Sequence, residues 1–329
     1  MSLTLNREDR RLKSLLEWIE FPVTKVEPVA GDASRRRYFR VFIPDGQLIA
    51  MDAPPPEDVN RFAKVATLMR RVGVKVPEIY ALESAMGFAL LEDFGDRSYL
   101  SCLEETNADR LYGQALNTTR LLQTTLEADQ LDLPSYSEDL LNRELGIFLE
   151  WLLDRWLGVV PDDRLWQRTI QVLVENALEQ PQVCVHRDYH SRNLMVMGGE
   201  SPGVLDFQDA VIGPVTYDPV SLLRDCYVSW PDQWVERWSE RYRQSLVQAG
   251  MSVGPQHWQR WFDLMGAQRH LKAAGIFVRL WLREGRRGYL GDIPLTLGYV
   301  VAVCARHDPL RPFGKFLREV VMPQVREKL

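Results

Sequence analysis

Residues 6–20 carry apolar side chains at helical intervals, a pattern that ends before Phe21-Pro22. From Val23 to Pro44 polar and apolar residues alternate on either side of Gly31-Asp32-Ala33-Ser34, the pattern of two strands joined by a turn. A third strand is predicted over residues 47–53, stopped by Pro54-Pro55-Pro56, after which Val59, Phe62, Ala63, Ala66 and Met69 mark a helix over 57–71. Two short strands, 76–82 and 87–91, run into the polar segment Glu92-Asp93-Phe94-Gly95-Asp96, which reads as a hinge. Beyond Ser98 helical spacing prevails, with helices predicted near 107–128, 137–157, 163–180, 217–230, 232–249, 256–285 and 313–328. The interruption lies at 183–207, where short apolar stretches (183–185, 194–196 and 203–205) flank a polar loop. This order predicts an α+β chain, with a small antiparallel-sheet domain over 1–93 and a larger, mainly helical domain over 94–329.

Composition adds limits. A chain of 329 residues, 46% hydrophobic and 26% charged, buries a large core. Cys102, Cys184, Cys226 and Cys304 are far apart and form no C-x-x-C pair, so reduced, buried thiols are expected rather than zinc ligands or disulfides. No run of about 18 uncharged apolar residues occurs and the first residues lack an apolar leader core, so a cytoplasmic protein without a membrane partner is expected. The net charge of −5 gives no general attraction to nucleic acid. Residues 1–206 hold 23 Lys and Arg against 33 Asp and Glu, whereas 207–329 hold 17 against 12, so the last third is basic.

The candidate chemistry lies in the interrupted stretch. Phosphoryl transfer requires a carboxylate to orient an acceptor hydroxyl and take its proton, and hard oxygen ligands to hold Mg²⁺ on phosphate. The kinase catalytic-loop pattern H-R-D-x-x-x-x-N with a downstream Asp-Phe is matched by His186-Arg187-Asp188, Asn193 and Asp206-Phe207. In these roles Asp188 is the base, Asn193 and Asp206 are metal ligands, and His186 supports the loop. Alone, Asp and Asn in loops are ordinary turn formers; the full spacing sets these apart. His186 and His190 form an H-x-x-x-H pair, but no Glu follows the first His and the segment is not helical in pattern, so zinc is disfavoured. Cys184 with His186 lacks a third group to orient the imidazole, which disfavours a nucleophilic pair.

These residues resemble the aminoglycoside-phosphotransferase-like, or kinase-like, superfamily, and the likeness covers nearly the whole chain. Within it, the segments 31–41, 51–55, 91–96, 206–210 and 217–219 are similar to bacterial anomeric sugar kinases, which phosphorylate N-acetylmuramate and N-acetylglucosamine at C1 in cell-wall recycling. The resemblance implies a two-lobed protein-kinase-like fold, ATP between a sheet-containing lobe and a helical lobe, and the backbone of Glu92 to Phe94 against adenine. It also implies that Asp218, ahead of Pro219, braces the catalytic loop.

Two departures matter. A single Gly31, with Ser34 nearby, stands where protein kinases have a glycine-rich phosphate loop, and Met51 stands where the third strand carries a lysine. A thioether cannot neutralise phosphate, so Arg35 and Arg37, which share one strand face, are candidate replacements, with Arg36 on the other face. The Trp230, Trp234, Trp238 series reads as a buried helix face.

The basic last third argues against polycationic aminoglycosides and mildly against choline, and suits a neutral or carboxylate-bearing amino sugar. Candidate cations for such a carboxylate are Arg187, Arg192, Arg224, Lys272 and Arg279, and candidate hydroxyl acceptors are Asp209 and Asp225. The expectation is a monomeric sugar kinase using ATP and Mg²⁺. Its rivals are a kinase of the same superfamily with another acceptor, and a non-catalytic nucleotide-binding module, the latter motivated by Met51.

Overall fold

The computed structural model describes residues 10–29, 35–126, 128 and 131–329. The chain divides into two compact units, one of residues 1–97 and 195–208, the other of 98–194 and 209–329. The first unit therefore extends four residues past the expected boundary at 93 and takes back a segment from later in the chain. Backbone bonds attach that segment: Val196 N–H donates to the Arg97 carbonyl and Val204 N–H to that of Lys75, both at 2.7 Å.

In the first unit, α1 (Arg10–Trp18) precedes β1 (Lys25–Val29), β2 (Arg37–Ile43) and β3 (Gly46–Asp52). Then come α2 (Val59–Arg71), β4 (Ile79–Glu83) and β5 (Phe88–Glu92). The strands form one antiparallel sheet in the order β1-β2-β3-β5-β4. Strand alternation sends Phe39, Val41, Ala50, Phe88 and Leu90 to one face, where they pack with Leu12 and Leu15 of α1. On that same face Asp52 is fully buried and pairs with Arg37 opposite it in register and with Arg11 of α1. Met51, one residue back, therefore points to the other face, as do its cross-strand partners Tyr38 and Ala89. Asp58 caps α2 by accepting from the backbone N–H of Asn60 and Arg61.

The second unit contains α3 (Tyr99–Cys102), α4 (Glu105–Thr125) and α5 (Glu138–Ile147), the last continuing into wide π turns over Phe148–Leu157. Next come α6 (Asp163–Leu178) and β6 (Gln182–Val185), then the short strand β7 (Leu194–Met195), where the chain passes into the first unit, and β8 (Gly203–Val204) within that unit. They are followed by β9 (Val211–Pro214), α7 (Tyr217–Leu223), α8 (Asp232–Gln248) and α9 (Pro255–Glu284). The chain closes with α10 (Ile293–Arg306), α11 (Arg311–Phe316) and α12 (Met322–Lys328). β6 and β9 pair antiparallel, so the polar loop predicted from sequence leaves the end of a buried two-stranded ladder.

Helix α9 is the axis of this unit. It is buried around most of its circumference and packs on α5 and its π continuation, α6, α7, α8 and α10. One stretch, Arg287–Arg306, is long and apolar enough by composition to cross a membrane; within it Leu297, Val300, Val303 and Cys304 are buried, and α10 packs on α9.

Three elements depart from the sequence reading. α10 was not anticipated, because Gly291, Pro294, Gly298 and a run of β-branched valines argue locally against a helix; Pro294 sits in its first turn, where no N–H is missed. α7 stops at Leu223 rather than 230, since the Asp225 carboxylate draws in the Ser191 and Tyr227 N–H groups instead. Trp230 lies outside α8, which starts at Asp232; of the tryptophan series only Trp238 is buried, and Trp230 stacks on Trp234 with centroids 5.6 Å apart.

Gly275 marks the closest helix approach. A Cβ there would sit 2.7 Å from both the Ile147 carbonyl oxygen and the Phe148 nitrogen, where α5 widens into π turns. Gly275→Ala is expected to destabilise the protein by about 1–3 kcal/mol despite its better helix propensity, measured as a lowered urea midpoint.

Candidate active site

The loop after β6 is held by its backbone. The N–H groups of His186 and Arg187 donate to Oδ2 and Oδ1 of Asp218, at 2.7 and 3.0 Å. Asn193 Nδ2 donates to the Asp188 carbonyl at 3.0 Å, and its N–H donates to the His190 carbonyl at the same distance. Ser191 N–H donates to Asp225 at 2.9 Å. Arg187 (φ 78°) and Asp206 (φ 60°) are the non-glycine residues with left-handed backbone among the described residues, and both lie in the motif read from sequence.

Arg187 anchors the loop from its other end. Its guanidinium bonds Glu144 of α5, which also accepts from Lys272 at 3.0 Å, from Gln268 at 3.2 Å and from Tyr136 OH. Burial opposes the charge on Glu144, but Lys272, Arg187 and Tyr136 outweigh it and hold the carboxyl below its usual range. Burial likewise opposes the charge on Lys272, and Glu144, Tyr217 and Asp188 together more than offset it.

Asp188 follows the same logic. Burial would raise its carboxyl, but the positive field of Lys272, His190, Arg187 and His186 prevails and keeps it ionised. A carboxylate so held accepts a hydrogen bond readily and takes a proton only when the donor becomes strongly acidic.

The other candidates of the second unit fall into two groups. Arg224 is buried and bound to Asp263 at 2.9 Å, Asp225 accepts the two backbone N–H groups already named, and Asp209 offers its carbonyl to Arg187 at 3.5 Å. Arg192 lies flat against Tyr227, 3.8 Å from the ring centroid, and 5.0 Å from that of Tyr289, with no carboxylate within ion-pair distance among the described residues. Arg279 is half-buried beside Arg283, which together lower its pKa, a poor setting for a structural ion pair.

In the first unit, Asp206 accepts from Gln208 Nε2 at 2.7 Å and lies 4.0 Å from Nη2 of Arg36, while the Phe207 ring packs at a tilt against Phe62 of α2. Glu92 pairs with Lys75 at 2.9 Å, and the Lys75 ammonium sits 5.4 Å from the Phe94 ring. Gly203 leaves room for that ring: a Cβ would lie 2.6 Å from Phe94 Cδ2. Gly31 and Ser34 lie outside the described residues. Arg37 is spent on Asp52, and Arg35 is exposed, with its N–H 3.4 Å from Glu57.

Sequence reasoning missed Glu144, although Leu141, Leu145 and Phe148 share its helix face and place a carboxylate in the core. A buried acid among apolar residues demands a cation, and that signal was readable.

Asp206 in the first unit offers a part-exposed carboxylate, and Asn193 in the second, whose amide N–H is engaged, has a carbonyl oxygen; each is a hard oxygen of the kind Mg²⁺ takes. Among the described residues no group of three or more His, Cys, Asp or Glu could by itself hold a metal ion.

Over residues 25–261 the chain matches the phosphotransferase enzyme family. The chain belongs to that family. Among its relatives is an N-acetylmuramate/N-acetylglucosamine kinase of Pseudomonas aeruginosa, 45% identical and spanning 91% of this chain and 90% of its own. The enzyme of the same name from Pseudomonas putida is 42% identical over 95% of this chain and 94% of its own. Among solved structures, an ADP-bound aminoglycoside phosphotransferase superposes with a TM-score of 0.57 at 14% identity, covering 89% of this chain and 97% of that one. The expected α+β kinase-like fold is therefore the one this phosphotransferase has.

Asp218 gives a pH test. Burial pushes its carboxyl up to about 7, against the two N–H bonds that favour the ionised form. A raised folded-state pKa means that the folded protein keeps a proton which the unfolded chain loses above about pH 4, so this stabilisation declines as pH rises through 7. Relative to Asp218→Asn, which does not titrate, the unmodified protein should lose on the order of a few kcal/mol between about pH 4 and 8. Urea denaturation of both proteins across that range measures it, and a constant difference would refute it.

Proposed function

We propose that this phosphotransferase is a Mg-ATP-dependent kinase that phosphorylates the anomeric C1 hydroxyl of N-acetylmuramate and N-acetylglucosamine. The observation that carries the substrate assignment is the 45% identity, across nine-tenths of both chains, to a relative named for those two sugars. The solved relative with ADP supports ATP as the phosphoryl donor. Dependence on ATP assigns the reaction to the cytoplasm.

Asp188 accepts a hydrogen bond from the acceptor hydroxyl and receives its proton as the sugar oxygen bonds to the γ-phosphorus and the bond to the ADP oxygen breaks. Its depressed pKa is no handicap, because the hydroxyl becomes acidic only once that bond is well formed. Asn193 and Asp206 would hold Mg²⁺, which would neutralise charge on the phosphate oxygens. The backbone of Glu92 to Phe94 takes the adenine. Among the sugar-binding candidates, Arg192 is the one whose guanidinium is oriented by aromatic faces rather than consumed by a carboxylate, and it suits the lactyl carboxylate of N-acetylmuramate. The neutral N-acetylglucosamine lacks that group, so Arg192→Met should raise KM for N-acetylmuramate about 10-fold and leave N-acetylglucosamine within about 2-fold.

The test of the reaction is a panel of amino sugars, choline and aminoglycosides followed by ADP release, with ³¹P NMR of the product to separate an anomeric phosphate from other esters. Preferred turnover of choline or an aminoglycoside would refute the assignment. Asp188→Asn should lower kcat by about 10²–10⁴-fold while the protein still binds ATP.

A further inference from the structure

Met51 leaves the third strand of the sheet without a cation, yet the same sheet face is not without one. Met51 pairs with Tyr38 across β2 and β3, and directly paired residues share a face. Side chains alternate along a strand, and carrying that alternation one residue past the start of β2 puts Arg36 on the Met51 face, opposite to the one on which Arg37 meets Asp52.

Arg36 is almost fully buried, with 6% of its side chain exposed, and two carboxylates meet it. Glu57, just ahead of α2, lies 3.4 Å from its Nε, and Asp206 lies 4.0 Å from its Nη2. Arg37 is committed to Asp52 and Arg40 to Asp93 and Asp96, while Arg35 is exposed. Both carboxylates around Arg36 keep part of their surface, 20% for Glu57 and 26% for Asp206. Arg36 is thus fixed beside the residue proposed to carry the metal, oriented by an acid at the start of a helix.

We infer that Arg36, positioned by Glu57, is the phosphate-neutralising cation of this enzyme and replaces the absent strand lysine from the neighbouring strand. The inference rests on the kinase reading above. A guanidinium suits the task, since it remains charged when buried and offers several N–H groups, so it bonds Glu57 and a phosphate oxygen at once. The role differs from that of Arg35 and Arg37, the arginines singled out by strand position alone.

The test compares nucleotides that differ only in phosphate, using the full-length protein and calorimetry without an acceptor sugar. Arg36→Met, which keeps much of the apolar stem, should weaken ATP binding about 10–100-fold and leave adenosine within about 2-fold. Arg36→Lys keeps the charge but not the fork, and should weaken ATP about 3–10-fold, again without affecting adenosine. An unchanged ratio of ATP to adenosine affinity overturns the inference, judged on Arg36→Lys alone if Arg36→Met does not fold. Equal losses for ATP and adenosine also overturn it, because they report a collapsed site rather than a missing phosphate contact. Failure of the unmodified protein to bind ATP would instead sink the kinase reading itself.

Discussion

Two successive backbone N–H groups, those of His186 and Arg187, share one buried carboxyl group, that of Asp218, and the position of Asp188 follows from that bond pair. A loop leaving a two-stranded ladder has no further ladder partners for its N–H groups, and burying them unpaired costs about 1–3 kcal/mol each. Asp218 meets the need at the start of α7, and the loop then turns through a left-handed Arg187. That turn sends the guanidinium inward to Glu144 and leaves the next side chain, Asp188, in the field of four basic residues. Position and ionisation of the proposed base thus have a common origin.

The same dependence runs back to the longest helix. Glu144 is tolerable in the core because Lys272 and Gln268 of α9 reach it, together with Tyr136 and Arg187. Removing one member of such a set leaves a buried charge unpaired, which costs more than the pair contributes to stability. α9 in turn approaches α5 closely because Gly275 has no side chain. A backbone packing choice in one helix, a buried ion cluster beside it and the charge state of a loop carboxylate are therefore successive consequences of one arrangement.

Much of this was legible in the amino acids. Strand alternation and proline stops marked the strands of the first unit to within a few residues, and the spacing of Asp188, Asn193 and Asp206 picked out a stretch of turns and short strands. What escaped depended on tertiary context. α10 was hidden by residues that are poor helix formers in isolation and are stabilised by burial against α9. The return of residues 195–208 to the first unit left no local trace, because it is made by backbone bonds to Lys75 and Arg97. Among three adjacent arginines, alternation separated Arg36 from its neighbours, but only the burial of Asp52 on the opposite face showed which of them was already engaged.

The discontinuity of the first unit also bears on how the protein is made. Phe62 packs against Phe207, the Lys75 carbonyl accepts from Val204 N–H, and Gly203 accommodates the Phe94 ring, so three parts of this unit await a segment synthesised roughly a hundred residues after Arg97. At about 5–20 residues per second, the sheet leaves the ribosome about 5–20 s before its last pieces arrive. During that interval Phe62 and Phe94 lack these partners, so the packing of the first unit is completed only after the helices up to α6 have been synthesised.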